Sequence, residues 1–140
     1  MGKHDQNDQL VKLSDIKETI KLGDLDIRGY VVKDKEGEVI GKVEDLLIDQ
    51  SENTVRFLLV ESGGFLGMGV SKSFIPVDAI ARIAKEEVHI DQTRERVAGA
   101  PPYDPELVGT RSYHQDAFDY YGYTPYWMGG YSVPGIPFQF

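Results

Sequence analysis

Between Asp26 and Asp91 the sequence is a succession of short runs rich in β-branched and aromatic residues, each closed by a polar or glycine turn. No long helical period separates them. Ile27, Tyr30, Val31 and Val32 lead into Lys33-Asp34-Lys35-Glu36-Gly37, where Gly37 can supply the positive φ of a tight hairpin. Val39–Asp49 reads as one long strand with Gly41 marking a bend or bulge, and Thr54–Glu61 as another after a polar turn at Gln50–Asn53. A glycine-rich loop, Ser62–Ser73, then precedes a short strand, Phe74–Val77, whose Pro76 suggests an edge or a strand end. Ala79–Ala84 and Val88–Asp91 form a last hairpin about Lys85-Glu86-Glu87. This pattern predicts a mainly β fold, a small antiparallel barrel of five or six strands.

Two strands constrain more than the fold class. A half-buried strand alternates apolar and polar residues, yet Leu46-Leu47-Ile48 and Phe57-Leu58-Leu59-Val60 are apolar on both faces. A small barrel has one interior, so something must cover the outer face of these strands. The candidates are the Leu10–Leu22 segment, the C-terminal region and a second copy of the chain. Asp15 and Glu18 could cap a short helix over Leu10–Leu22, ended by Gly23; an extended segment lying on the body fits equally well.

The C-terminal region differs in kind. Of fifteen aromatic residues, eleven lie between Ala100 and Phe140, with six of the seven prolines. Thr93–Val97 has the length of one helical turn halted by Gly99, and Asp104-Pro105-Glu106-Leu107 reads as an N-cap followed by proline at the first helical position. Ser112 and Gln115 have capping-box spacing, and Tyr113, Ala117 and Tyr121 recur on one face of a two-turn helix before Gly122. The region to Tyr121 is expected to dock on the body. Residues 122–140 are expected to form an adaptable segment that orders on a partner or another protomer. The division is thus a disordered N-terminus (1–9), a barrel domain (10–92) and an aromatic, Pro/Gly-rich extension (93–140).

The residues Gly37–Asp49, Val55–Glu61, Gly63-Gly64-Phe65-Leu66-Gly67-Met68-Gly69 and Phe74–Ile80 together resemble the PRC-barrel domain, named for the cytoplasmic barrel of the photosynthetic reaction-centre H subunit. The resemblance runs from about Asp26 to Asp91 and implies a six-stranded, SH3-like barrel. It also implies an assembly module rather than a catalyst, since the family occurs beside ribosome maturation and in archaeal cell-division scaffolds. The extension looks like one found in free-standing bacterial members.

Candidate chemistries fail one by one. With no cysteine, thiol nucleophiles and thiolate metal sites are excluded. Gly69 is separated from Lys72 by two residues and a strand follows, so the glycine loop is not a phosphate loop. His4, His89 and His114 share no ligand spacing, and Asp116 and Asp119 do not share a helical face with His114, which is read as part of a solvated polar face. Asp24–Gly29 places Arg28 where a calcium loop needs a ligand. Glu44-Asp45 and Glu86-Glu87 are read as turn and rim residues. No G-x-S-x-G is present. No enzyme and no cofactor is expected.

A net charge of −8 opposes direct contact with nucleic acid. No apolar run approaches the roughly 18 residues of a membrane span, so a cytoplasmic location is expected, with peripheral association to a membrane complex left open. The expected function is a self-associating assembly or adaptor module, a homodimer for preference, that binds a further protein. Its contact surface is expected at Leu46, Ile48, Leu58 and Val60, at Phe65, Leu66 and Met68 of the loop, and at Tyr121, Tyr126 and Trp127. The alternatives are a ribosome- or RNA-associated factor working through protein contacts and a barrel that binds a small ligand.

Overall fold

The computed structural model describes residues 10–12, 26–49, 54–63 and 70–128. Residues 1–9, 13–25, 50–53 and 64–69, with Phe65, Leu66 and Met68 among them, and those beyond Met128 lie outside the described residues.

Among the described residues seven strands and two helices follow in order: β1 (Leu10–Lys12), β2 (Val31–Lys33), β3 (Val39–Asp49), β4 (Thr54–Gly63), β5 (Val70–Pro76), β6 (Ile80–Ala84), β7 (Glu87–Ile90), α1 (Arg94–Ala98) and α2 (Arg111–Tyr121). Six strands form the path β5-β4-β3-β2-β7-β6, and β1 pairs with the far end of β3. The start of the Leu10–Leu22 segment is therefore extended, with Leu10 opposite Asp49. Every pair is antiparallel except β2 and β7, which run parallel, so the sheet is mixed. The path does not close by hydrogen bonds; a 3-10 turn at Val77–Ala79 joins β5 to β6. Pro76 is the last residue of β5, which lies at one end of the path, a position where proline is tolerated.

Local chemistry accounts for the turns. Asp34 takes the backbone N–H groups of Glu36 and Glu38 on one carboxylate oxygen, both at 2.8 Å, and Gly37 has φ 86°. Lys85 and Glu86 both have positive φ, 50° and 65°, as a two-residue hairpin turn requires. Ile27–Tyr30, expected to belong to β2, is instead a turn about Gly29, closed by Tyr30 N–H on the Ile27 carbonyl at 3.0 Å. Gly41 is a point of close approach: a Cβ there would sit 2.2 Å from the Glu61 carbonyl oxygen.

Two bulges set which face of the sheet each apolar residue takes. Val43 pairs with Val60 but Asp45 with Leu59, leaving Glu44 as an extra residue; Leu47 pairs with Phe57 but Ile48 with Val55, leaving Arg56 extra. Each bulge shifts the alternation by one residue. Val43, Leu46, Ile48, Leu58 and Val60 then point inward with Val32, Ile75, Val88 and Ile90, while Leu47, Phe57, Leu59 and Phe74 point outward.

In the extension, Thr93 caps α1 by accepting the Arg96 N–H at 3.1 Å, and Gly122 ends α2 in the left-handed region. Asp104–Leu107 forms a turn, not a helix; the Asp104 carboxylate accepts the Glu106 N–H at 2.9 Å. α2 begins at Arg111, one residue before Ser112, with Thr110 at its N-cap position, and the helix has three turns instead of two.

Candidate functional site

The outward face of β3, β4 and β5 is covered by the chain's own extension. α2 lays Ala117 and Phe118 on Leu47, Phe57, Leu59 and Phe74, all buried, with Tyr113, Tyr126 and Trp127 packed around them. The rings interlock. Phe57 meets Phe74 edge-on with centroids 4.1 Å apart and Phe118 at 5.2 Å; Tyr113 stacks on Phe74 at 5.0 Å; Trp127 stands edge-on to Phe118 at 5.7 Å. These offset and T-shaped contacts are the favoured aromatic geometries.

Two guanidinium groups fix the last described residues. Arg56, placed outward by its bulge, lies 3.8 Å above the Tyr126 ring and 3.8 Å from the Asp49 carboxylate. Arg111 lies 4.1 Å from the Trp127 ring centroid. Residues 123–128, expected to await a partner, are thus engaged with their own barrel. Trp127 lies half-buried against α2.

Polar contacts tie the same extension down at its other end. Asp34, almost fully buried, spends its second carboxylate oxygen on the Arg94 N–H at 2.9 Å, linking the β2–β3 hairpin to α1. Arg96 donates to the Tyr120 carbonyl while the Tyr120 hydroxyl donates to the Arg96 carbonyl at 2.6 Å, which locks α1 to α2. The Tyr123 hydroxyl donates to Asp91 and accepts from Gln92 Nε2 at 2.7 Å. Burial pushes the phenols of Tyr113, Tyr121 and Tyr123 above the ordinary tyrosine range, so these hydroxyls stay protonated.

The expected contact residues fall into three groups. Leu46, Ile48, Leu58 and Val60 are packed inside the barrel and expose almost nothing, because the bulges turn them inward. Tyr121 is buried at the junction of barrel and extension, and Tyr126 and Trp127 join the outer cluster. Phe65, Leu66 and Met68 lie outside the described residues.

Two readings of polar residues change. His114 does not lie on a solvated face: it is fully buried against Phe57 and Phe74, with Nε2 2.6 Å from the Val108 carbonyl oxygen. That oxygen only accepts, so Nε2 carries the proton. Asp45 is not at a rim but buried in mid-strand beside the Glu44 bulge, with its carboxylate on the Leu46 N–H at 2.9 Å. Glu44 ion-pairs with Lys72 at 3.1 Å. Sequence reasoning also missed the outward set Leu47, Phe57, Leu59 and Phe74. The i, i+4 spacing of Tyr113 and Ala117, read against the surplus apolar strand face, was the signal that could have found it.

A recess lined by Phe74, Ala100, Pro101, Tyr113, Asp116, Ala117 and Tyr121 holds about 40 Å³. That is far below the roughly 300 Å³ at which ligand pockets begin. No group of three or more His, Asp or Glu residues among the described residues is placed to hold a metal ion. No described helix is long and apolar enough to cross a membrane.

No curated protein matches the chain. The family model for the PRC-barrel domain matches residues 22–97, from before β2 into α1, which is more than half the chain and stops short of α2. The barrel of β2–β7, with the bulged strands that set its interior, fits that assignment, and the chain belongs to the PRC-barrel domain family.

Proposed function

We propose that this protein is a non-catalytic, cytoplasmic assembly module that self-associates and binds a further protein. The observation that carries the reading is how the polar residues around the outer cluster are used. Asp34, Arg56 and Tyr123 hold the extension to the barrel, and Arg96, Tyr120 and Arg111 hold the parts of the extension to one another. Catalysis instead needs groups converging on a space where a reacting molecule can sit. A rigid body with its own apolar face closed offers partners two other surfaces, the open half of the barrel wall and the outer side of the extension.

Light scattering at micromolar concentration tests this together with affinity capture from the native cell. The expected result is an oligomer and a recovered protein. A strict monomer that captures nothing would overturn the proposal. Truncation after Gly122 tests the role of Tyr126 and Trp127: a loss of association is expected, and unchanged association would remove them from the contact surface.

A further inference from the structure

The half of the barrel wall that α2 leaves uncovered carries a charge pattern opposite to that of the whole chain. Its outward residues form two rows across β3, β2, β7 and β6. One row is Lys42, Val31, Glu87 and Ala84; the other is Val39, Lys33, His89 and Arg82. At the centre Glu87 is spent internally, 3.0 Å from Lys33 Nζ and 3.0 Å from His89 Nε2. Lys42 and Arg82, at two corners, are exposed and make no ion pair among the described residues, although the exposed Glu61 stands opposite Lys42 on β4 and leaves the face with three cationic side chains, Lys33, Lys42 and Arg82, against two carboxylates. Val39, at the β3 corner beside Lys42 and 55% exposed, gives the patch an apolar contact. On a chain of net charge −8, this face has an excess of cations.

The matching surface is on the extension. α2 exposes Asp116 and Asp119 on its outer side, and Glu106 is exposed on the turn before it. Asp119 stands in the last turn of the helix and Asp116 at its middle, and the last turn has no basic residue. The negative end of a helix disfavours carboxylates and favours cations, so this surface gains from cations brought to it. Arg111, the one basic residue of the helix, is stacked on Trp127.

We infer that the Lys42/Arg82 face of one copy docks on the Asp116/Asp119 face of a second copy. The inference rests on the assembly reading above and names its surfaces. Because the two faces differ, the contact is heterologous: repeated, it closes into a ring or continues as a filament. Each face is incomplete in charge alone and complementary to the other, which favours attraction between unlike faces and repulsion between like ones.

The test uses the full chain in two charge-reversed forms, Lys42→Glu with Arg82→Glu, and Asp116→Lys with Asp119→Lys. All four positions are exposed, and circular dichroism checks that both forms fold. Light scattering should show that association of the wild type weakens about tenfold or more when salt rises from about 0.05 M to about 0.5 M, as screening shortens. Each variant alone should be monomeric, having two acidic or two basic faces. Mixing them should restore association, since each then meets an opposite face. If the wild type associates but salt and both variants leave it unchanged, the inference fails and the assembly reading stands. If the wild type stays monomeric at low salt, both fail.

Discussion

Phe118→Ala tests whether barrel and extension are one cooperative structure. The Phe118 side chain is 1% exposed and touches Phe57 on the barrel and both Tyr126 and Trp127 beyond the helix. Removing a buried phenylalanine costs about 3–5 kcal/mol through lost transfer energy and the cavity left behind. Against a total of about 5–15 kcal/mol for a domain, this is a large fraction. With a urea slope of about 2 kcal/mol/M, the midpoint should fall by about 2 M. The assay has two probes: Trp127, the one tryptophan, reports on the extension by fluorescence, and far-ultraviolet circular dichroism reports on the sheet. Both midpoints should fall together. A Phe57→Ala cycle should add a coupling of about 0.5–1.5 kcal/mol for the ring pair. If the dichroism midpoint moves by less than about 0.25 M, or about 0.5 kcal/mol, while Trp127 is released, the extension is an independent flap and the reasoning is refuted.

Gly41→Ala should cost about 2–4 kcal/mol, because the new methyl group meets the Glu61 carbonyl in the backbone of the neighbouring strand; a urea midpoint within error of wild type would contradict this. Replacing Lys85-Glu86 by Asn-Gly should stabilise by about 1–2 kcal/mol, since both residues have left-handed φ that the new pair adopts readily; thermal denaturation measures the gain. Asp34 gives a pH dependence. Burial acts to raise its pKa, but three backbone N–H bonds outweigh this and hold it below its ordinary value of 3.8. A carboxyl depressed in the folded state contributes stability above the unfolded value and loses it as pH falls through the folded value. Asp34→Asn should therefore lower stability at neutral pH by about 1–3 kcal/mol and flatten the decline below about pH 4; an unchanged acid limb would refute the role.

The barrel was legible in the sequence because strand period and turn chemistry are local signals: Val39–Asp49 coincides with β3, and Gly37 and Gly122 adopt the left-handed conformations their positions suggest. The need for a cover over the doubly apolar strands was legible too. Which residues face outward was not. A bulge is a pairing offset between two strands, and nothing in Glu44 or Arg56 taken alone announces that the alternation slips there. His114 was misread for a related reason: its partners Phe57, Phe74 and Val108 come from three separate elements, and only packing brings them together. The parallel β2–β7 pair likewise depends on how the last hairpin returns to the sheet, which no local signal encodes.

The covered face also sets a schedule during synthesis. Its apolar residues, Leu47, Phe57, Leu59 and Phe74, are all made once the ribosome has passed Pro76, whereas the cover is complete only at Trp127, some 50 residues later. At about 5–20 residues per second the nascent barrel exposes that face for roughly 3–10 s. Translation that stalls in this interval leaves an unprotected apolar sheet, so the growing chain is most prone to aggregate, and most in need of a chaperone, just before α2 emerges.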